Sequence, residues 1–129
     1  MNALIVDTSS WISRLAGKAE SEFDEALEEG RVYLTPVVAA ELVSGKMNLK
    51  QRSDLIDMLS DLPLTVHDLP HWFRVGILRS ELGCRGLAVS TPDAHVAQSA
   101  LDINAKLLTL DRIFVKIAEH TKLKLARMS

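Results

Sequence analysis

Leu4-Ile5-Val6-Asp7-Thr8-Ser9-Ser10 is a short apolar run that stops at a carboxylate and three hydroxyls. Unbroken β-forming side chains suit a strand covered on both faces, as in a parallel sheet between helices. Asp7 then falls at the carboxyl end of that strand, where ligand sites form in open α/β sheets. A plainer reading is also available: Asp, Thr or Ser at this point can cap the following helix by accepting its orphan N–H groups.

The rest of the chain repeats the alternation. Trp11, Ile12 and Leu15 have helical spacing before Gly17, and residues 19–29 read as a helix with Phe23, Ala26 and Leu27 inward and Gly30 as its stop. Val32-Tyr33-Leu34 reads as a strand, and Thr35-Pro36 as a capped helix start for the run Val37 to Ser44. A helix is expected over 49–62, a brief strand over 64–66 and a helix over 70–82. Thr91-Pro92 repeats the cap-plus-proline start, for a helix from Asp93 to about Leu101. A strand over 106–110, a helix over 113–120 and a strand over 123–125 complete the series. Short strands alternating with helices predict an α/β fold with a parallel sheet covered on both faces.

The chain of 129 residues suits one domain, 1–129, with 47% apolar and 25% charged residues. No apolar run has the length of a membrane span, and the start shows no basic leader region, so a cytoplasmic location is expected. Cys84 is alone, which excludes an internal disulfide. A net charge of −2 does not mark a nucleic-acid binder. The charges are uneven, however. Glu20, Glu22, Asp24, Glu25, Glu28 and Glu29 form an acidic block, and Lys106, Arg112, Lys116, Lys122, Lys124 and Arg127 a basic end. Both read as solvated surface, and the basic end could also guide a polyanion or an acidic partner.

Three more carboxylates sit as awkwardly as Asp7. Glu41 interrupts Val37-Val38-Ala39-Ala40-Leu42-Val43, a helix apolar nearly all round; it is either buried and in need of a cation, or on the one exposed strip. Asp93 heads the apolar stripe of its helix, although an acid in a first turn also complements the helix dipole. Asp111 follows an apolar strand as Asp7 does, and it too can be a cap. Together, Asp7 and Asp111 at strand ends and Glu41 and Asp93 on flanking helices would repel one another unless a hard divalent cation, Mg²⁺ or Mn²⁺, held them. Such an ion binds phosphate oxygens and acidifies water, which implies phosphodiester hydrolysis. His67, His71, His95 and His120 show no zinc-type spacing, and His95 reads as a surface histidine.

At these residues the sequence resembles the PIN-domain ribonucleases and, within them, the VapC-type toxins of bacterial toxin–antitoxin pairs. The matching pieces are Ile5-Val6-Asp7-Thr8-Ser9, Glu41-Leu42, Thr91-Pro92-Asp93-Ala94-His95-Val96-Ala97 and Leu108-Thr109-Leu110-Asp111-Arg112-Ile113-Phe114. The resemblance implies a three-layer α/β/α sandwich around a mostly parallel sheet, and Mg²⁺- or Mn²⁺-dependent cleavage of single-stranded RNA. It implies that Asp7, Glu41, Asp93 and Asp111 form an acidic quartet. Asp7, Asp93 and Asp111 would hold metal, Glu41 would orient water or complete the outer shell, and Thr8, Ser9 and Thr109 would support them. Ile113 departs from the pattern, since many members carry Asp or His there as an auxiliary ligand. A homodimer and a cognate antitoxin are also implied; Trp72, Phe73, Ile77 and Leu78 could serve as a contact surface or as core. Two other readings remain: a catalytically degenerate PIN-fold domain that binds nucleic acid or protein, and a phosphatase with Asp7 as nucleophile. Ser9 stands where the latter class places a second Asp.

Overall fold

The computed structural model describes residues 2–126. Its elements, in chain order, are β1 (Leu4–Val6), α1 (Thr8–Leu15), α2 (Ser21–Glu28), β2 (Val32–Tyr33), α3 (Pro36–Val43) and α4 (Leu49–Ser60). They continue with α5 (Leu69–Cys84), α6 (Thr91–Asp102), β3 (Lys106–Leu108), α7 (Ile113–His120) and β4 (Lys124–Leu125). The strands form a parallel sheet in the order β2-β1-β3-β4, with Leu4 opposite Val32 on one side and Lys106 on the other. Helices cover it on both faces, giving the three-layer α/β/α arrangement. Arg127, part of the expected basic end, lies outside the described residues.

β1 is central, and this explains its composition. Leu4, Ile5 and Val6 are all buried, as are Leu107 and Leu108 of the neighbouring β3. Burying one such side chain contributes about 2 kcal/mol. On one flank Trp11 of α1 meets Phe23 of α2 edge to face, with ring centroids 4.7 Å apart. α6 is the most enclosed helix: it packs on α5, α3, α7, β1 and β3, and Ala94 through Ala97, Ser99 and Ala100 are buried. Small residues there allow the close approach. The turn that follows α6 passes through Asn104, whose φ of 52° is left-handed. Asn tolerates that conformation better than most residues. The Ala105 N–H donates to Ala100 O and the Asn104 N–H to Leu101 O, so the turn leads directly into β3.

Several expectations are corrected. The strand expected over 64–66 is a single parallel bridge between Leu34 and Leu64, and Val66 is 77% exposed. The strand expected over 106–110 stops at Leu108, because the polar groups of Thr109 and Leu110 turn to partners near Asp7. The second helix starts at Ser21 rather than Ala19, with Glu20 as its cap. α6 is capped by Ser90, whose Oγ accepts from the Asp93 N–H, so Thr91 is already helical. The Trp72, Phe73, Ile77, Leu78 stripe divides: Leu78 is core, Trp72 half-buried, and Phe73 and Ile77 exposed. Among the described residues no helix is long and apolar enough to cross a membrane.

Candidate active site

The carboxyl ends of β1 and β3 are neighbours in the sheet, so Asp7 and the segment carrying Thr109 and Asp111 emerge side by side. Asp7 is at once a helix cap and an acid at the carboxyl edge of the sheet. It caps α1, its Oδ1 accepting from the Ser9 N–H at 2.6 Å, and its side chain stays buried at this edge. The second oxygen, Oδ2, accepts from Thr109 Oγ1. Thr109 Oγ1 in turn accepts from the Asp111 N–H at 2.9 Å, and Ser9 Oγ accepts from the Leu110 N–H at 3.0 Å. Two hydroxyls thus lock the two strand ends together. Asp111 Oδ1 accepts from the Ile113 N–H at 3.1 Å and steadies the entry to α7, while the residue itself is exposed.

Asp93 lies in the first turn of α6, half-buried. Burial pushes its carboxyl above the usual value; the Ser90 hydrogen bond opposes this, and the charges of Asp111 and Asp7 add to the rise. Asp7 is likewise raised, first by burial and also by Asp111, against the hydrogen bonds from Thr109 and Ser9. Asp7, Asp93 and Asp111 therefore share one electrostatic environment.

Of the two readings of Glu41, buried or on the exposed strip, the structure gives the exposed strip. α3 buries only Val38 and Leu42, and Glu41 is on its exposed side. It still reaches the same edge: Thr8 Oγ1 donates to Glu41 Oε1 at 2.8 Å, and Thr8 directly follows Asp7. Ile113 is half-buried and packs against the core, so its side chain brings no ligand atom to the edge.

Among the described residues, no Lys or Arg forms an ion pair with Asp7, Glu41, Asp93 or Asp111, whereas Asp24, Glu29, Asp54 and Asp102 are paired. An oxygen-only donor set, with Asp7 and Asp93 pushed upward and no Lys or Arg paired to it, is what a hard divalent cation fits.

The PIN domain profile matches residues 4–120, nearly the whole chain. The chain belongs to the PIN domain family. Its fold is that of VapBC from Salmonella typhimurium, solved bound to DNA, with a TM-score of 0.80 at 20% identity over 98% of each chain. VapBC2 from Rickettsia felis, bound to a DNA fragment from the promoter, has a TM-score of 0.78 at 23% identity over 98% of this chain and 99% of that one. VapBC-5 from Mycobacterium tuberculosis, described as a member of the VapBC family of toxin–antitoxin systems, has 0.70 at 25% identity, over 98% and 99%. Comparison with curated proteins gives no match. PIN domains generally bind divalent metal ions.

The sequence reading missed a second cluster in this PIN domain. His95 is not at the surface: it is fully buried on α6, facing His71 of α5 and His67 of the preceding connector. Burial first, then the charges of His67 and His71, hold the His95 imidazole down at about 4, with Asp102 opposing. His67 is also lowered, first by burial and then by His71. One signal was present: His67 and His71 are four residues apart, a separation found in metal sites. His95, reached only through the α5–α6 packing, had none.

Proposed function

We propose that this PIN domain, spanning residues 1–129, is a metal-dependent endoribonuclease that cleaves single-stranded RNA, and that it is the toxin of a toxin–antitoxin pair. The observation that carries the reading is the edge where the charge of Asp111 adds to the rise of the Asp7 and Asp93 carboxyls, with no Lys or Arg among the described residues ion-paired to any of the three. The VapBC likenesses support the toxin part, with a cognate antitoxin as partner; a homodimer is part of the same proposal.

In this reading Asp7, Asp93 and Asp111 hold Mg²⁺ or Mn²⁺. When bound, the ion neutralises the phosphodiester and acidifies a water molecule. The chain's own residues do the positioning. Thr109 and the Ser9 N–H fix both oxygens of Asp7, leaving each oxygen a further lone pair for an ion. Thr8 holds Glu41 toward the same edge, where its exposed carboxylate can accept a proton from an attacking water. Fixed carboxylates lose little freedom when the ion and substrate arrive, which lowers the reorganisation needed for reaction. Hydrogen bonds accepted by both Asp7 oxygens also weaken it as a nucleophile.

The test is cleavage of a single-stranded RNA with Mg²⁺ or Mn²⁺, with Asp7→Asn and Asp93→Asn as controls. Cleavage by the parent and loss in both variants is expected. Equal cleavage by parent and variants overturns the assignment. RNA binding without Mn²⁺ binding or cleavage would favour the degenerate PIN-fold reading instead.

A further inference from the structure

We propose that His67, His71 and His95 form a second metal site, distinct from the acidic edge, that takes a zinc-type transition-metal cation. One ring nitrogen of each histidine lies within 4.8 Å of one from each of the others. His71 sits in the first turn of α5, His95 in α6 and His67 in the connector before α5, so the site joins three separate segments.

The hydrogen bonds fix where the protons are in neutral imidazoles. Asp102 Oδ2 lies 2.6 Å from His71 Nδ1, and a carboxylate accepts, so Nδ1 carries the proton. His71 Nε2 is then bare, and His95 Nδ1, at 2.9 Å, must donate to it. That leaves a lone pair on His95 Nε2, which is buried and unpartnered. The hydroxyl of Thr65 donates to Leu34 O at 3.3 Å and so accepts from His67 Nε2. His67 Nδ1 is left as a second buried lone pair without a donor. Buried polar atoms are rarely abandoned in this way. Two bare imidazole nitrogens, on rings whose centroids are 4.7 Å apart, suit a cation.

The chemistry selects the class of ion. Imidazole nitrogens favour Zn²⁺, Co²⁺, Ni²⁺ or Cu²⁺ over Mg²⁺. Asp102 behind His71 supplies the carboxylate that commonly orients a ligating histidine. Asp102 is itself held by Arg74 Nε at 2.9 Å and by Gln98 Nε2 at 2.8 Å. Trp72 stacks on His95, with centroids 4.7 Å apart and planes 9° from parallel, and restrains that ring. Metal–nitrogen bonds of about 2.0–2.1 Å require the rings to draw together. His67, on a non-helical connector and only half-buried, is the residue that moves toward the ion; His71 Nε2 takes the ion in place of the His95 N–H, and His95 Nδ1 becomes a ligand as its proton passes to the bare Nε2 of the same ring. Bound metal would fasten the connector, α5 and α6, and α6 also carries Asp93 two residues before His95.

The test is a Co²⁺ titration of the full chain followed by visible absorption, with Zn²⁺ competition. The parent is expected to bind one Co²⁺ with the intense bands of tetrahedral nitrogen coordination, displaced by Zn²⁺. His67→Gln should abolish the bands, Asp102→Asn should weaken binding about 10–100-fold, and Asp7→Asn should leave the bands intact. Absence of tetrahedral bands in the parent overturns the proposal, as do bands that persist in His67→Gln. Unchanged affinity in Asp102→Asn overturns it even if His67→Gln fails to fold. Bands lost in Asp7→Asn would assign the ion to the acidic edge. None of these readouts uses RNA cleavage, so this proposal and the nuclease reading fail separately.

Discussion

The molecule holds two clusters of titratable groups, built on opposite principles. At the sheet edge, Asp7, Asp93 and Asp111 are like charges that share an environment, and hydroxyls and N–H groups hold them while no Lys or Arg among the described residues forms an ion pair with them. Between α5 and α6, His71 and His95 are linked to each other and to Asp102, and Asp102 is neutralised by Arg74. Burial works to raise the Asp102 carboxyl, but hydrogen bonds from Arg74, His71 and Gln98 outweigh it and hold it at about 2. The first cluster is held at a cost to the metal-free fold, and the second largely stabilises it. Electrostatic frustration concentrated at one place is a common mark of a functional site.

The largest expected effect tests the edge directly. Asp7→Asn should lower RNA cleavage about 10²–10³-fold, the scale of losing one fixed electrostatic group at a reacting centre. The same variant should be more stable than the parent without metal at pH 7, since it removes a raised carboxyl. That sign follows from linkage: a carboxyl raised above 3.8 in the fold binds its proton more tightly there than in the unfolded chain. Its contribution to stability therefore falls as pH rises through and above that value. A chemical denaturation midpoint at pH 4 and pH 7 checks it, and a variant less stable than the parent at pH 7 would break the contrast.

His95→Ala should cost about 3 kcal/mol of unfolding free energy, from the cavity left in a buried site and the lost donor to His71. In the parent, a histidine lowered from 6.5 to about 4 makes stability fall as pH drops between those values. The slope from one such group is at most about 1.4 kcal/mol per pH unit. His95→Ala should lose this slope, as urea midpoints across that range would show. Thr109→Val should cost about 2 kcal/mol, because it removes the donor to Asp7 and the acceptor for the Asp111 N–H. It should also move the acid limb of the cleavage profile to higher pH, since a bond that lowers the Asp7 carboxyl is gone.

Asp102→Asn should cost about 1–2 kcal/mol at pH 7 after solvent screening. Here the sign is opposite to Asp7: the depressed carboxyl stabilises the fold above 3.8 and loses that effect as pH falls toward about 2. Parent and variant should converge at pH 2. The smallest effect is expected for Thr8→Val, which frees the exposed Glu41 at a cost of about 0.5 kcal/mol. Its cleavage loss should be several-fold and should appear in the rate at saturating RNA rather than in RNA affinity.

Legibility in the sequence followed the same division. The edge was readable because its acids interrupt or end apolar runs. Leu4-Ile5-Val6 before Asp7 and Lys106-Leu107-Leu108 before Thr109 announce parallel strands, and parallel strands deliver their carboxyl ends to one side. The dual use of Asp7, as helix cap and as edge acid, shows why the two readings of that residue could not be separated by pattern alone. The two readings of Glu41 stayed open because apolar composition around a helix does not specify which strip faces solvent; α3 leaves its Glu41 side uncovered. The histidine cluster was hidden because helix–helix packing brings His71 to His95 across 24 positions without any periodic trace. The brief strand at 64–66 failed for a related reason. It lies at the sheet margin, where one bridge to Leu34 suffices and Val66 has nothing to pack on.

The bond from Thr109 to Asp7 joins residues 102 positions apart. A polypeptide halted before β3 would lack Asp111 and the hydroxyl that steadies Asp7, and β1 would have only β2 beside it. If the edge is what cuts RNA, a partly translated or truncated product is harmless to the cell producing it. The edge is completed only by the last fifth of translation, and a premature stop upstream of β3 would leave it unbuilt.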